Sequence, residues 1–228
     1  MHQQKSKQIL IYFFLLLLFG SITNSSFHST QFLNLNKILV SGLDERGNRE
    51  LIKKINDLKL KNILFLNENE IENIIEINTL IENYKIFKIY PSTLDIKINK
   101  TKSLAKINKN GKIFFVGSNG KLSEEISENQ ELPFIFGKPK TQEFIDFKKI
   151  VDQSKFSYDE IENFYFFPSK RWDIEFKNNI VIKLPMINSK NSLDNVFEFL
   201  ANKNLKNNLT IDARVKGQII FNDSRIGF

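Results

Sequence analysis

The sequence predicts an α+β protein. It should have an N-terminal membrane anchor, a small domain of element order β-α-α-β-β, and then a larger mixed β domain with two to three helices. Three stretches predict this. Residues 9–19 are eleven consecutive apolar residues. Residues 86–99 are two alternating runs meeting at Tyr90-Pro91-Ser92-Thr93, and residues 171–184 alternate again around Asn178-Asn179. A period of two places alternate side chains on opposite faces of a strand, so each hairpin has one face that needs covering.

The apolar run follows a polar start that contains Lys5 and Lys7. Basic residues only before the run keep its N-terminus in the cytoplasm and send the rest across the membrane. Together with Gly20, Ser21 and Ile22 the run still falls short of the ~20 residues that span a bilayer. Asn24-Ser25-Ser26 is a poor cleavage site, so hydropathy leaves a retained anchor and a cleaved signal both open. Residues 25–34 read as a polar linker.

The small domain begins with a strand at Leu35 and residues 37–40, ended by Ser41-Gly42. Asn48 is expected to cap a helix that carries Leu51, Ile52, Ile55 and Leu58 at helical spacing. Asn67 with Glu70 starts a second helix, with Ile71, Ile74 and Ile75 on one face. In the following hairpin, Phe87 and Ile89 alternate with Lys88, and Leu94, Ile96 and Ile98 alternate with Asp95, Lys97 and Asn99. Pro91 cannot donate to a ladder and belongs in the turn. Two helices on one face of a three-stranded sheet satisfy this pattern.

Residues 100–106 read as a polar joint. Asn110-Gly111 and Ser118-Asn119-Gly120 are turn signals on either side of a strand at residues 112–116. Thr141 is expected to cap a helix with Phe144, Phe147, Ile150 and Val151 inward, and Ser157 with Glu160 a further turn. Residues 164–167 are strand-like and stop at Pro168. In the second hairpin Trp172, Ile174 and Phe176 face one way, and Ile180, Ile182 and Leu184 return that face. A helix with Leu193, Val196, Phe197 and Leu200 follows, and then a last strand at residues 215–221.

Composition excludes several chemistries. There is no Cys, so no disulfide, thiolate nucleophile or Cys-bound metal. The two His residues, His2 and His28, lie outside the folded part, which excludes a Ser-His-Asp triad or a His-bound metal there. The net charge is +7, but only five of 33 basic residues are Arg and the Lys are spread evenly, which argues against nucleic-acid recognition. Glu124-Glu125 and Asp159-Glu160 read as solvated or capping carboxylates, and no Gly-rich phosphate loop is present. No catalytic residue, cofactor, metal or small-molecule substrate is therefore expected.

The order strand, helix, helix, strand, strand, ending in Lys88-Ile89-Tyr90-Pro91-Ser92-Thr93-Leu94-Asp95-Ile96-Lys97-Ile98, resembles the POTRA domain of the bacterial cell-division family FtsQ (DivIB in Gram-positive bacteria). The second half resembles the same family through Arg171-Trp172, Asn178-Asn179, the apolar helix at residues 193–200, and Ile211-Asp212-Ala213-Arg214. The resemblance implies a cytoplasmic tail at residues 1–8, an anchor or uncleaved signal at 9–24, a POTRA domain at 34–101 and an FtsQ-type β domain at 102–222. It also implies a single-pass inner-membrane protein, mostly periplasmic, at the division septum. Such a protein is a scaffold and not an enzyme. It would bind the periplasmic ends of FtsB/FtsL-type coiled-coil proteins by strand addition to its last strand, with other divisome members reaching the POTRA domain. The partner-binding residues implied are Arg171, Trp172, Arg214, Val215, Gly217, Ile219 and Phe221. A lone Trp on an alternating strand is otherwise most simply a core residue. The alternative reading is a POTRA-type periplasmic chaperone or protein-translocation accessory.

Overall fold

The computed structural model describes residues 2–22, 34–125, 131–205 and 207–223. Most of the expected linker, His28, the proposed cleavage site, the end of the expected anchor at residue 24, and Arg225 lie outside them. Helix α1 (His2–Ile22) contains the apolar run, whose side chains from Ile9 to Phe19 are exposed. Among the described residues no helix is both long and apolar enough to cross a membrane.

The remaining chain forms two compact units. The first comprises residues up to Ile75 together with Tyr84–Ile98; the second comprises Glu76–Asn83 together with Asn99 onward.

In the first unit, strands β1 (Lys37–Ser41), β2 (Ile81–Ile89) and β3 (Thr93–Lys100) form a three-stranded sheet of order β1-β3-β2. β1 runs parallel to β3, pairing Ile38 with Leu94 and Val40 with Ile96. Helices α2 (Glu45–Asp57) and α3 (Glu68–Ile77) contribute Leu51, Ile55, Ile71 and Ile75 to the core beside Leu94, Ile96 and Ile98. Full burial of each such side chain is worth about 1.5–3 kcal/mol.

Two local expectations need correction. The cap of α2 is Asp44, whose carboxylate accepts from Gly47 N, because Asn48 instead binds both the N–H and the carbonyl of Leu43. In β2 the faces are reversed. Ile86 and Lys88 are half-buried, with Lys88 2.7 Å from Glu68 of α3, whereas Phe87 and Ile89 are exposed and Phe87 lies under the Lys97 ammonium. The helix face accepts Lys88 because its charge finds a carboxylate there. At the end of β1, Gly42 is required: at φ +113° a Cβ would lie 1.8 Å from the Ile98 carbonyl oxygen.

The second unit is built on a nine-stranded sheet. Its strands are β4 (Ser103–Lys109), β5 (Lys112–Gly117), β6 (Leu122–Ser123), β7 (Phe134–Phe136), β8 (Ile161–Phe166), β9 (Trp172–Phe176), β10 (Ile180–Lys183), β11 (Leu209–Asp212) and β12 (Ile220–Asp223). The spatial order is β12-β11-β10-β9-β8-β7-β4-β5-β6. Helix α4 (Thr141–Asp152) connects the parallel pair β7 and β8, and α5 (Ser189–Lys203) connects the parallel pair β10 and β11. Parallel neighbours need such a crossover, and both helices cover one face.

Under them lie Phe144, Phe147 and Val151 of α4, Leu193 and Val196 of α5, and Phe164, Trp172, Ile174, Ile182 and Ile211 of the sheet. Residues 103–106 belong to β4 and not to a linker, because Ala105 and Ile107 enter this core. The helix cap at α4 is Lys140, with Thr141 the first helical residue. The segment at residues 76–83 is held by Asn119. Its amide nitrogen donates to the carbonyls of Thr79 and Ile81, at 3.0 and 2.8 Å, and its oxygen accepts from Lys121 N.

Candidate partner-binding edge

The site is built from the second unit's far edge inward. β12 is the edge strand and pairs, among the described residues, with β11 alone. The antiparallel register sets Ile220 opposite Asp212 and Phe221 opposite Ile211. Directly opposed residues share a face, so Phe221 lies on the helix side, where its ring is 5.2 Å from that of Phe199. Ile220 lies on the open side. Both remain exposed, at 62% for Ile220 and 45% for Phe221.

The last strand is shorter than the sequence pattern suggests. Residues 213–219 form a tight connection and not a strand. Asp212 Oδ1 accepts from the backbone N–H of Arg214 at 3.1 Å, which turns the chain out of β11. Gly217 has φ +76°, and Gln218 N donates to the Val215 carbonyl. Val215, Gly217 and Ile219 are thus in the turn that leads into the edge strand, and Phe221 alone of that group lies in it.

A row of charged residues crosses the open face towards this edge. The registers place Asp173 of β9 beside Lys183 of β10, Lys183 beside Asp212 of β11, and Asp212 beside Ile220 of β12. Opposite charges at directly opposed positions each contribute roughly 0.2–1 kcal/mol. Arg171 Nε donates to Asp173 Oδ1 at 3.1 Å, and its guanidinium also rests 4.2 Å from the ring centre of Phe167. Arg214 Nε donates to Asp212 Oδ1 at 2.8 Å.

The two carboxylates differ in environment. Burial raises the Asp173 carboxyl above the ordinary value, against the pull of Arg171 and of the Leu184 N–H. The hydrogen bond from Arg214 holds the Asp212 carboxyl below the ordinary value. Trp172 is not on this surface. It is 6% exposed, and its indole stacks on Phe147 at 4.8 Å between ring centres. It shapes the site from inside by fixing β9. Arg214 thus lies at the end of β11, the neighbour of the edge strand, and Arg171 three strands away at the start of β9. Among the described residues no group of side chains that could hold a metal converges.

Of the residues that the resemblance implied, Phe221 lies in the edge strand, and Arg171 and Arg214 lie on the carboxylates of Asp173 and Asp212. Ile220 fell within the expected last strand but was not singled out, and the Asp173–Lys183–Asp212 row was not foreseen. The Asn178-Asn179 turn predicts the first pairing of that row, but the second depends on the crossover through α5, for which no short-range pattern exists.

Comparison with known proteins gives the chain its relatives. Residues 33–100 match the family "POTRA domain, FtsQ-type", and residues 98–214 match "Cell division protein FtsQ/DivIB, C-terminal". The chain is 25% identical over 171 residues to the cell division protein FtsQ of Rickettsia bellii (strain RML369-C). That alignment covers 70% of this chain, and the chain spans 60% of the relative. The extracytoplasmic domain of the division protein DivIB from Geobacillus stearothermophilus is also similar, with 12% identity and a TM-score of 0.33 over 46% of this chain and 98% of that one. The two family matches meet at the end of β3 and together run from β1 to Arg214. This chain belongs to the FtsQ/DivIB family of bacterial cell-division proteins.

Proposed function

We propose that the chain is a non-enzymatic scaffold of the division machinery that takes up a strand from an FtsB/FtsL-type partner on β12. The observation that carries this reading is the position of β12 at the sheet edge with its outer side unpaired among the described residues. An edge strand presents a row of unpaired N–H and C=O groups, and an extended segment binds by completing the ladder. Val215, Gly217 and Ile219 form the turn that presents the strand. Arg171 and Arg214 would meet acidic residues of the partner. Trp172 keeps β9 in place. Other division proteins would use the FtsQ-type POTRA domain.

The same reading takes the apolar run of α1 that starts at Ile9 as a retained inner-membrane anchor, with residues 1–8 in the cytoplasm and the chain after residue 24 in the periplasm at the septum. Support comes from the uninterrupted apolar surface of residues 9–19 and the basic residues ahead of them.

The test is hydrogen exchange of the full chain in detergent, with and without a peptide from the C-terminal end of an FtsB-type protein. The peptide should slow exchange in Ile220–Asp223 more than anywhere else in the sheet. Protection that appears elsewhere and leaves these amides unchanged would overturn the strand-addition reading.

A further inference from the structure

The opposite end of the nine-stranded sheet holds a second surface with a different chemistry. A cleft of about 710 Å³ opens between the β4–β5 turn, the start of β6, and the loop from β7 into α4. Its charged lining is Lys109, Lys121, Lys138 and Lys140, with no carboxylate among the residues that form it. The floor is apolar: Ile107, Val116, Leu122, Ile135 and Phe144. Val116, Ile135 and Phe144 are almost closed to solvent at the base of the cleft.

Among the described residues none of the four lysine side chains is paired with a carboxylate, although other lysines of this unit are: Lys112 with Glu124, Lys170 with Glu143 and Lys177 with Glu131. Lys121 donates to the Glu76 carbonyl. A cleft lined by one sign of charge over low-dielectric walls focuses its field and favours a ligand of the other sign. The nearest carboxylate on α4, Glu143, accepts from Lys140 N and neutralises the helix start, not the lysine side chains.

We infer that this cleft binds an acidic amphipathic peptide of a partner protein, in which one apolar side chain enters the floor between flanking carboxylates. Charge complementarity selects an anion, and the apolar floor selects the kind. A polyanionic sugar has at most a single methyl of an acetyl or lactyl group to place there. A lipid would forfeit about 0.8 kcal/mol for every methylene drawn out of its bilayer, for a floor that offers little area in return. A peptide loses no such burial. This surface is separate from β12, so it extends the proposed scaffold role to a second partner segment, and each can fail without the other.

The experiment uses the full chain in nanodiscs of phosphatidylcholine and a fluorescein-labelled peptide of alternating Glu and Phe. Anisotropy should report saturable binding that a peptide of alternating Glu and Ser does not reproduce. Lys138→Glu combined with Lys140→Glu should weaken binding by about tenfold or more, the effect of a few exposed pairs acting together. Lys109→Glu, at a different turn, should weaken it separately, so a misfolded double variant leaves the question answerable. The emission of Trp172 reports whether each variant is folded. Lys53→Glu with Lys54→Glu on α2 makes the same charge change and should alter binding less than about twofold. Equal losses in both double variants, full binding by the Glu-Ser peptide, or displacement of the probe by nanodiscs that contain phosphatidylglycerol would each overturn the inference. The last result would assign the cleft to a lipid headgroup.

Discussion

The Arg171 guanidinium sits 3.1 Å from the carboxylate of Asp173, two residues along the chain, and that carboxylate is only 4% exposed. Burial has already raised its pKa in spite of this contact. A carboxyl with a raised folded value binds its proton more tightly when folded. It therefore costs nothing below the ordinary value of 3.8, and it subtracts from stability as the pH rises through that value towards the folded one. Arg171→Gln removes the main opposing pull, so its loss of stability should be about 2 kcal/mol at pH 7 and much smaller near pH 3. Urea unfolding at the two pH values measures this. An equal loss at both would mean that Arg171 contributes by resting on Phe167 and not by charge.

Phe147→Ala should destabilise the second unit by about 3–5 kcal/mol, since it opens a cavity against the stacked indole of Trp172. Trp172 is the chain's only Trp, so the change is visible in fluorescence. Emission should shift to the red in the folded variant. An unshifted spectrum with wild-type stability would contradict the buried stack.

Asn119 gives two hydrogen bonds to the segment at residues 76–83 through a single amide. Asn119→Ala should cost about 1–3 kcal/mol and speed amide exchange in that segment first. Asn119→Asp should be worse, because it turns an acceptor towards two carbonyls. Should the two variants prove equally stable, the assignment of the amide donor would be wrong.

Proline separates the two sides of β12. In an antiparallel edge strand, successive N–H groups point alternately inward and outward. Of Ile220→Pro and Phe221→Pro, one should weaken the sheet and the other should leave folding near normal. The second should lower affinity for an FtsB-type peptide by roughly tenfold to a hundredfold. Arg171→Glu should weaken the same binding by an amount that shrinks at high salt. If both proline variants fold and bind like the parent, the partner does not join this strand.

If α1 is retained as an anchor, protein extracted from membranes begins at residue 1 or 2. A mature start near residue 27, found by N-terminal sequencing, would show a cleaved signal.

How far the sequence can be read depends on the range of the interactions. The hairpin of β9 and β10 was legible because alternation from Trp172 to Phe176 and the Asn178-Asn179 turn act within a dozen residues. Asn119 was legible only as a turn residue, since the carbonyls it binds lie 40 and 38 positions away. Residues 215–221 read as one strand because Val215, Gly217 and Ile219 share a period of two. The Asp212 side chain and the positive φ of Gly217 break that strand in ways that alternation does not encode. Lys88 reversed β2 through one ion pair with a helix twenty residues upstream. The candidate edge was legible as a place, the end of the last strand. The charged row beside it was not, because half of it rests on the parallel pairing through α5.

An edge that is open to a partner is equally open to a twin. β12 carries two exposed apolar residues in its four and no Lys or Pro among them, the usual guards against edge-to-edge pairing. Two copies at high local concentration would meet through this strand whenever the partner is scarce, and a four-residue ladder would hold them only weakly. The chain should then be a monomer when partner is in excess and should show reversible, concentration-dependent dimers without it. Phe221→Lys should abolish those dimers in analytical ultracentrifugation, and dimers that persist would place self-association on another face.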